Sequence, residues 1–325
     1  MRLVTFRGLG GERVGTRVGA LKGEDGLVDL AAAAGARGLD FPRTMLALIE
    51  AGPEALALAR DLVDIEPEAA LRPLDAVKLL APLPRPTRLR DCCLFLEHMD
   101  KALDKLARKL AEEEPDPEAA LERLRASGKY SVGPVFREQI IYYNADHLHV
   151  VGPDEELAWP SWSEWMDYEL EWACVIGPGG RDITVERAAG HIFGYTIFND
   201  WSARDVQIKV MGANLGPGEG KDFANGLGPC IATPDEFDDP YALTMTAHVN
   251  GEAWSSGSTA TMHHRFEDAI AQFSRERDLV AGEVIGSGTV LSGCGFELDR
   301  RLADGDLVEL AVEGIGTLRN RVVRR

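Results

Sequence analysis

The chain has 325 residues, of which 45% are hydrophobic and 27% are charged, and its formal net charge is −18. The length supports a large core and more than one domain, and the composition is that of an ordinary globular protein. The acidic balance excludes a nucleic-acid backbone or an anionic membrane surface as the main partner, because both would be repelled. A small anionic substrate is not excluded, because local cations or a metal can make the electrostatic potential inside a cleft positive.

The five cysteines are odd in number and form no C-x-x-C pair. They therefore predict buried thiols in a reducing compartment and no disulfide framework. The first residues, "MRLVTFRGLGGERVG", carry charges throughout and lack the apolar segment of a signal peptide. No segment approaches the ~18 uninterrupted apolar residues that a membrane span requires. We expect a cytoplasmic protein that does not bind membranes.

Residues 1–75 are predicted to form a small N-terminal α+β domain. Short strand candidates, "RLVTF", "RVGAL" and "GLVDL", precede two helix candidates, "TMLALIEA" and "PEALALARDLVDI", which meet at Gly52-Pro53. The glycine-rich "RGLGGER" fails as a dinucleotide fingerprint, because Arg13 occupies the third glycine position. Closely spaced prolines then favour an extended linker over residues 76–90.

Residues 101–128 are predicted to be helical and highly charged, with a break at the Pro-Asp-Pro sequence 115–117. Leu103, Leu106 and Leu110 give this segment only a narrow apolar stripe. The pattern favours a solvated helical hairpin inserted in the main domain. The alternative is a lid over an active site, which would have to be marginally stable in order to move.

From about residue 130 to the C-terminus the pattern is mostly short strands separated by glycine turns, interrupted by one helix candidate, "HRFEDAIAQFSRERD". Because the strands do not alternate with helices, they predict a curled antiparallel or mixed β architecture and not a doubly wound sheet. The predicted fold class is α+β, mostly β, with a main domain that covers residues 91–325.

The strand candidate "MDYELEWACVIG" places Asp167, Glu169 and Glu171 on one face, although its other residues are apolar enough to be interior. Like charges repel and burial increases the cost, so a positive group should face them. A second apolar strand candidate, "IFGYTIFND", ends in Asp200. An all-oxygen anionic cluster suits Mg²⁺, Ca²⁺ or Mn²⁺ and not Zn²⁺. The alternative is that Asp200 caps the next helix and both glutamates face solvent.

Cationic and amide groups follow these carboxylates directly. Arg204 and Gln207 lie three residues apart on one face of a predicted helical turn, and a glycine-rich loop then delivers Lys221. That loop, "GPGEGKDF", is not a P-loop, because Leu215 replaces its first glycine and Asp222 its Ser or Thr. A metal, an arginine, a lysine and an amide around one spot describe a pocket for a small carboxylated oxo-acid.

His98 is the histidine best placed for acid–base chemistry, since Glu97 and Asp100 flank it. A histidine beside carboxylates can act as a general base. Spacing alone supports this role only weakly, because most histidines are surface or structural residues.

Four segments, "DYELEWACVIGPGG", "HIFGYTIFNDWSARDVQ", "GKDF" and "GSGT", resemble the fumarylacetoacetate hydrolase family, and the similarity runs from roughly residue 88 to the C-terminus. The resemblance implies a β-roll catalytic domain built on a mixed sheet, usually in a homodimer. It also implies a divalent cation, Mg²⁺ or Ca²⁺, with Mn²⁺ as a further candidate.

The resemblance assigns the metal ligands and the base. It implies that Glu169, Glu171, Asp200 and Asp91 bind the cation. Asp91 precedes the catalytic histidine by the family's spacing. His98 is then implied as the base that activates water.

The resemblance also assigns residues that contact the substrate. Arg204, Gln207 and Lys221 match positions that hold the substrate and stabilise developing charge, and Thr289 of "GSGT" matches a contact with its carboxylate. Cys93 is a further substrate-binding position, where the family's hydrolases proper have a tyrosine.

The carboxylate that orients His98 is left open between two glutamates, Glu97 and Glu297, because neither coincides with the family's position. Met211 replaces another tyrosine of the family. These departures affect the expected substrate more than the expected metal.

The implied reaction is hydrolysis of a carbon–carbon bond in a 1,3-diketo acid of the acylpyruvate or fumarylacetoacetate type, in aromatic or related catabolism. The metal would chelate the 2-oxo acid end, and His98 would take a proton from water. The same site could instead decarboxylate, isomerise or hydrate an oxo-acid, or hydrolyse a sugar-derived diketo acid. A non-catalytic calcium-binding module is the least favoured alternative, since a structural site needs neither His98 nor Lys221.

Overall fold

The computed structural model describes residues 1–9, 15–65 and 68–325, so Arg13 and the fingerprint argument based on it lie outside the described residues. The strands within the described residues are β1 (Arg2–Gly8), β2 (Arg17–Lys22), β3 (Gly26–Asp29), β4 (Leu71–Pro73), β5 (Val77–Leu80), β6 (Arg88–Cys92), β7 (Tyr142–Ala145), β8 (Val150–Val151), β9 (Glu156–Trp159), β10 (Met166–Asp167), β11 (Leu170–Ile176), β12 (Ile192–Asp200), β13 (Ser202–Ala203), β14 (Asn225–Ala232), β15 (Thr244–Val249), β16 (Glu252–Ser258), β17 (Glu283–Gly286), β18 (Leu307–Val312) and β19 (Gly316–Arg324). The α-helices are α1 (Leu30–Gly35), α2 (Met45–Ile65), α3 (Leu96–Glu112), α4 (Pro117–Ala126), α5 (Val135–Glu138), α6 (Val185–Ala188), α7 (Arg204–Met211), α8 (Phe266–Phe273) and α9 (Gly295–Leu298).

Helix α2 is broken where the sequence predicts, because Gly52 has a φ of 76°, a conformation that favours glycine. Across the described ranges, no helix is both long and apolar enough to cross a membrane.

Two large sheets organise the chain. The larger contains twelve strands in the order β4-β3-β2-β1-β14-β12-β11-β17-β6-β7, with β5 paired to β1 and β8 to β14. The smaller contains five strands in the order β16-β15-β18-β19-β9. Both are mixed, since β17 runs parallel to β6 and β19 parallel to β9 while most other pairs are antiparallel. The predicted α+β class, mostly β, is confirmed.

Strands β11 and β12 form the centre of the larger sheet, and every residue of both is buried. Their apolar runs suit a sheet covered on both faces. On one face Trp172 stacks on Tyr195 with ring centroids 5.0 Å apart, and both belong to the same core as Met245 of the smaller sheet. On the other face Val175 belongs to a second core together with Leu48 of α2. The site strands are therefore held rigidly from both sides.

The N-terminal strands continue the larger sheet. Strand β1 pairs with β14, with Leu3 opposite Ile231, and β2, β3 and β4 extend the sheet outwards from there. The proposed domains, 1–75 and 91–325, thus share one sheet, and the boundary between them remains a prediction.

Helices α3 and α4 form the hairpin predicted around residues 101–128, but α3 begins at Leu96, so His98 lies in its first turn. The break between the helices falls at the Pro-Asp-Pro sequence, where the Asp116 carboxylate accepts a hydrogen bond from the backbone N–H of Ala119 at 3.2 Å and caps α4. Arg125 of α4 donates to Asp104 of α3 at 2.8 Å, which ties the two helices together, and Arg108 of α3 donates to the same carboxylate.

Candidate active site and metal centre

A cavity of about 190 Å³ lies between the central strands and α3. Ten of the twelve residues predicted for the site line it, and the other two are Glu97 and Glu297. The ten are Asp91, Cys93, His98, Glu169, Glu171, Asp200, Arg204, Gln207, Lys221 and Thr289. Distant parts of the sequence thus meet because β6, β11 and β12 lie close together in one sheet.

Asp91 of β6, Glu171 of β11 and Asp200 of β12 form a tight carboxylate cluster. Their ligand oxygens all lie within 4.8 Å of one another, and all three side chains are buried. Among the described residues, Glu171 Oε2 and Asp200 Oδ1 have no hydrogen-bond partner. Buried carboxylate oxygens without partners are costly, and a bound cation would satisfy them.

The electrostatics of the cluster agree with this interpretation. Burial, reinforced by repulsion from Asp200, raises the pKa of Asp91 to about 8. Burial and repulsion from Asp91 raise the pKa of Glu171 well above its ordinary value. Burial likewise raises the pKa of Asp200 to about 6, although Lys221 opposes the shift. A hard divalent cation would remove this repulsion, and the donor set does not select among Mg²⁺, Ca²⁺ and Mn²⁺.

Glu169 lies beside the cluster and is held by two cations. Its Oε1 lies 2.8 Å from an Arg204 guanidinium nitrogen, and its Oε2 accepts a hydrogen bond from Lys221 Nζ at 2.7 Å. Burial opposes ionisation, but Lys221 and Arg204 outweigh it and hold the pKa of Glu169 below its usual range. Lys221 also donates to Asp200. The predicted role of Glu169 as a metal ligand therefore requires that these contacts be exchanged for the cation.

Asp167 positions Arg204, a role that its place in the sequence does not predict. Arg204 Nε donates to Asp167 Oδ2 at 2.8 Å, and the same carboxylate accepts the backbone N–H groups of Gly295 and Phe296 at 2.8 and 2.9 Å. Asp167 thus connects the arginine to the first turn of α9. The sequence signal that could have indicated a role for Asp167 is its position on the same strand face as Glu169.

His98 pairs with Glu297, one of the two glutamates left open by the sequence. The Nδ1–H group of His98 donates to Glu297 Oε2 at 2.9 Å. Glu297 also accepts the backbone N–H groups of Ser292 and Gly293 at 3.0 and 3.1 Å. Burial opposes its ionisation, yet the bond from His98 and these amides hold the pKa of Glu297 below its usual range. A fixed, ionised carboxylate of this kind sets the tautomer of the imidazole.

Glu97 does not have the predicted catalytic placement. It is exposed on α3 and is absent from the cavity lining in the part of the chain that the structure describes. The physical reason is helical geometry, because adjacent residues of a helix point in directions about 100° apart and His98 occupies the inward face.

The remaining predicted residues lie around the carboxylates. Thr289 Oγ1 donates to Glu171 Oε1 at 3.3 Å, and Gln207 Oε1 accepts from Arg204 at 2.9 Å. Burial raises the pKa of Cys93 to about 12, so its thiol is neutral. Tyr143, which sequence reasoning missed, donates its hydroxyl to Asp200 Oδ2 at 2.6 Å. The sequence contains no local signal for this role, because it depends on the pairing of β7 with β6, which places Tyr143 opposite Asp91.

The hairpin forms one wall of the cavity. Met99, Leu103 and Leu106 of α3 line it. Two residues of the predicted apolar stripe of α3, Leu103 and Leu106, thus face the cavity, whereas Leu110 does not line it, and the choice between a solvated hairpin and a lid stays a prediction. The charged residues that dominate the sequence of α3 occupy the other faces of the helix.

The C-terminal domain of fumarylacetoacetate (FAA) hydrolase matches residues 120–323. Because this match covers more than half of the chain, the chain belongs to the fumarylacetoacetate hydrolase family. The family predicted from the sequence is confirmed, and with it the β-roll type of fold.

Known proteins similar to this chain carry different reaction names. The human mitochondrial oxaloacetate tautomerase FAHD2A is 30% identical, over 99% of this chain and 92% of that protein. The structure of a fumarylacetoacetate hydrolase from the psychrophilic Exiguobacterium antarcticum has a TM-score of 0.73 and 27% identity, with all of both chains covered. Maleylpyruvate hydrolase from Sphingobium sp. SYK-6, in complex with manganese (II) ion and pyruvate, has a TM-score of 0.69 at 22% identity over 100% of this chain and 99% of that one, which shows the fold alone. The chain is thus similar to enzymes of one superfamily that includes tautomerases and hydrolases.

Proposed function

We propose that this protein is a divalent-cation-dependent enzyme that moves a proton between carbon and oxygen in a small 2-oxo acid, a keto–enol tautomerase. The observation that supports this proposal most strongly is the His98–Glu297 pair, which orients a base. His98 lines the same cavity as three buried carboxylates that are suited to bind a cation. The human relative, named an oxaloacetate tautomerase, supports this reaction type because the similarity extends over 99% of the chain.

The cation site would consist of Asp91, Glu171 and Asp200, with Glu169 adjacent. A divalent cation bound there would polarise the oxygens of a 2-oxo acid and so acidify the neighbouring C–H group. The site residues fit this role through their buried, unpartnered oxygens.

His98 would carry the proton. Its Nδ1–H group is engaged by Glu297, which leaves Nε2 as the proton acceptor. Nε2 would take the proton from the carbon next to the oxo group, and the protonated ring would return it at the enol oxygen or at carbon. Glu297 stabilises the imidazolium in the interval. Lys221 and Arg204 would hold the substrate carboxylate and stabilise the developing negative charge.

Hydrolysis of a carbon–carbon bond in a 1,3-diketo acid is the second candidate. It is favoured by the 27% identity to a structure named fumarylacetoacetate hydrolase, which covers all of both chains. In this reaction His98 Nε2 would take the proton from water, and hydroxide would attack the distal carbonyl. The products would be a carboxylic acid and pyruvate or a related oxo-acid.

One experiment separates these reactions. EDTA-treated protein is supplied with Mg²⁺, Mn²⁺ or Ca²⁺ and incubated in D₂O with oxaloacetate and with acylpyruvates, and the products are followed by NMR. Metal-restored enol–keto conversion with deuterium at the adjacent carbon supports the tautomerase, whereas two acids support the hydrolase. Loss of carbon dioxide would move the assignment to decarboxylation. Absence of any reaction, in protein that still binds the ion, would refute an enzymatic role.

The homodimer and the cytoplasmic location are proposals, of which the first rests on the family resemblance and the second on five cysteines without a C-x-x-C pair. Light scattering on a size-exclusion column tests the first. Microscopy of the tagged protein tests the cytoplasmic location. The human relative is named as mitochondrial, which does not support that location.

A further inference from the structure

We infer that the substrate carries an apolar group, and not a second carboxylate, at the end that lies away from the cation. The inference rests on the proposed function and deepens it by naming the class of 2-oxo acid. It departs from oxaloacetate, the dicarboxylic acid in the human relative's name.

The cavity has two chemically different ends. The carboxylate cluster and Lys221 lie at the sheet, where the 2-oxo acid group would bind. The opposite walls come from α3, α7 and α9, which contribute, besides the polar His98, Arg204 and Gln207, six large apolar side chains. These are Met99, Leu103, Leu106, Ile208, Met211 and Phe296.

The two strong cations of the cavity are committed to the sheet end. Arg204 contacts Asp167 and Glu169, and Lys221 contacts Glu169 and Asp200. If Glu169 turned to a cation, both would be released beside the first carboxylate of the substrate and not beside α3. A second carboxylate would then be desolvated against apolar side chains, which is costly without a partner.

The lysines of α3 do not reach the apolar end. Lys101, Lys105 and Lys109 line a separate groove, which Phe296 also borders. Lys101 donates to Ser292 at 2.7 Å, and Lys105 pairs with Asp299 at 2.5 Å. None of these three lines the cavity, so within the described ranges α3 presents its lysines to the groove and Met99, Leu103 and Leu106 to the cavity.

The spacing of α3 explains this separation. Met99, Leu103 and Leu106 are related by i, i+4 and i+7, which is one helical face. Lys101, Lys105 and the other cations fall between them on different faces. The helix that carries His98 therefore also carries the wall that selects the distal group.

A matched pair of 2-oxo acids tests the inference by direct binding. 2-Oxoglutarate and 5-methyl-2-oxohexanoate have the same skeleton, but an isopropyl group replaces the distal carboxylate in the second. With Mg²⁺-loaded protein, calorimetry should give a Kd at least about 10-fold lower for the apolar acid. In a series from pyruvate to 2-oxohexanoate, Kd should fall about 4-fold for each methylene that is buried. Equal or tighter binding of 2-oxoglutarate, or no binding of either acid, would overturn the inference.

A pair of variants locates the preference on α3. Leu103→Lys places a cation at the apolar end, so it should strengthen 2-oxoglutarate binding about 10-fold and weaken that of the apolar acid. Leu110→Lys adds the same charge to the same helix at a residue that does not line the cavity, and it should keep the wild-type preference. Circular dichroism checks that both variants fold. An unchanged preference in folded Leu103→Lys would contradict the placement.

The outcomes also separate this inference from the proposed function. A clear apolar preference without proton exchange or cleavage of any acid would leave the inference standing and remove the function. Turnover that favours dicarboxylic acids would leave the function standing and remove the inference.

Discussion

Of the two glutamates near His98, Glu297 is expected to be needed for catalysis and Glu97 is not. Glu297→Gln removes the charge that stabilises the imidazolium and can impose the wrong tautomer, so kcat should fall roughly 10²-fold or more while KM changes little. Glu97→Gln, on the exposed face of α3, should have wild-type kcat. Steady-state kinetics, with whichever substrate the NMR experiment identifies, measure both. A Glu297→Gln enzyme with full kcat would remove the dyad from the mechanism.

The carboxylate cluster gives the metal-free protein a distinctive dependence on pH. Burial raises the pKa of Asp91 to about 8 in the folded protein, whereas an unfolded chain titrates aspartate near ~3.9. Between these values the folded state binds more protons, so the free energy of unfolding should decrease as pH rises from about 4 to about 8. Glu169, whose pKa is lowered, acts in the opposite direction only at more acidic pH.

Urea unfolding with EDTA at several pH values measures this slope. Asp91→Asn should flatten it, because the substitution removes a titrating group, and saturating Mg²⁺ should flatten it as well. Asp278→Asn, at an exposed aspartate that pairs with Arg181 and has a lowered pKa, is the control and should retain the slope above pH ~4. A slope identical in Asp91→Asn and wild type would contradict the assignment.

At this scale the sequence indicated the types of residue but not all of their partners. Glu169, Glu171 and Asp200 were found because they end or line apolar strands. The partner of His98 and the role of Tyr143 could not be derived, since both depend on pairing between segments far apart in the chain. Such contacts are set by tertiary packing and leave no local period in the sequence.

Strands β6 and β17 lie so close that a glycine is required between Asp91 and the neighbouring core. Gly286 stands opposite Asp91, and a Cβ added there would lie 2.8 Å from both Asp91 Oδ1 and a ring carbon of Phe198. Gly286→Ala should therefore displace the Asp91 carboxylate and weaken Mg²⁺ binding about 10-fold, because a misplaced ligand is partly lost.

The matched control is Gly190→Ala, where the added Cβ has no atom within 4 Å. It should bind Mg²⁺ as the wild type does. Calorimetric titration of the metal measures both variants, and circular dichroism shows whether they fold. Unchanged affinity in Gly286→Ala would mean that Asp91 is not a ligand.

Element types were predicted better than element positions. The interior strands β11 and β12 followed from apolar runs, and the break in α2 followed from Gly52 and Pro53. Helix α3 begins earlier than its charged pattern indicated, because Leu96 is buried and the preceding residues, "CCLF", read as apolar without a helical period. His98 therefore lies on the first helix of the hairpin, although the charged pattern predicts a hairpin that begins only at residue 101.

The whole molecule is expected to unfold as one unit, although the sequence pattern divides it into two domains. Leu3 and Leu48, from the N-terminal region, belong to the same core as Val175 of β11 and Val284 of β17. The full chain should therefore show a single calorimetric transition with equal calorimetric and van't Hoff enthalpies. A chain that begins at residue 76 should be insoluble, because it would expose this core and the edge of β14.

Two separate transitions, or a soluble and folded chain beginning at residue 76, would restore the two-domain division. The sequence favoured that division because the proline-rich linker is a local signal. Pairing of β1 with β14 joins residues more than two hundred positions apart and is invisible to any local pattern.

The arrangement of α3 has a consequence for how relatives of this chain could diversify. Half of the large apolar side chains in the cavity wall, Met99, Leu103 and Leu106, come from one short continuous stretch, Leu96–Glu112, while the carboxylates come from strands of the central sheet. Substitutions in that single stretch can change which acid is accepted without disturbing the chemistry. One residue of the stretch, His98, cannot be changed or displaced, because it has to keep its hydrogen bond to Glu297. Related proteins can therefore differ in this segment while they keep the same carboxylates. Identical active-site carboxylates in two relatives would then not imply that both act on the same acid.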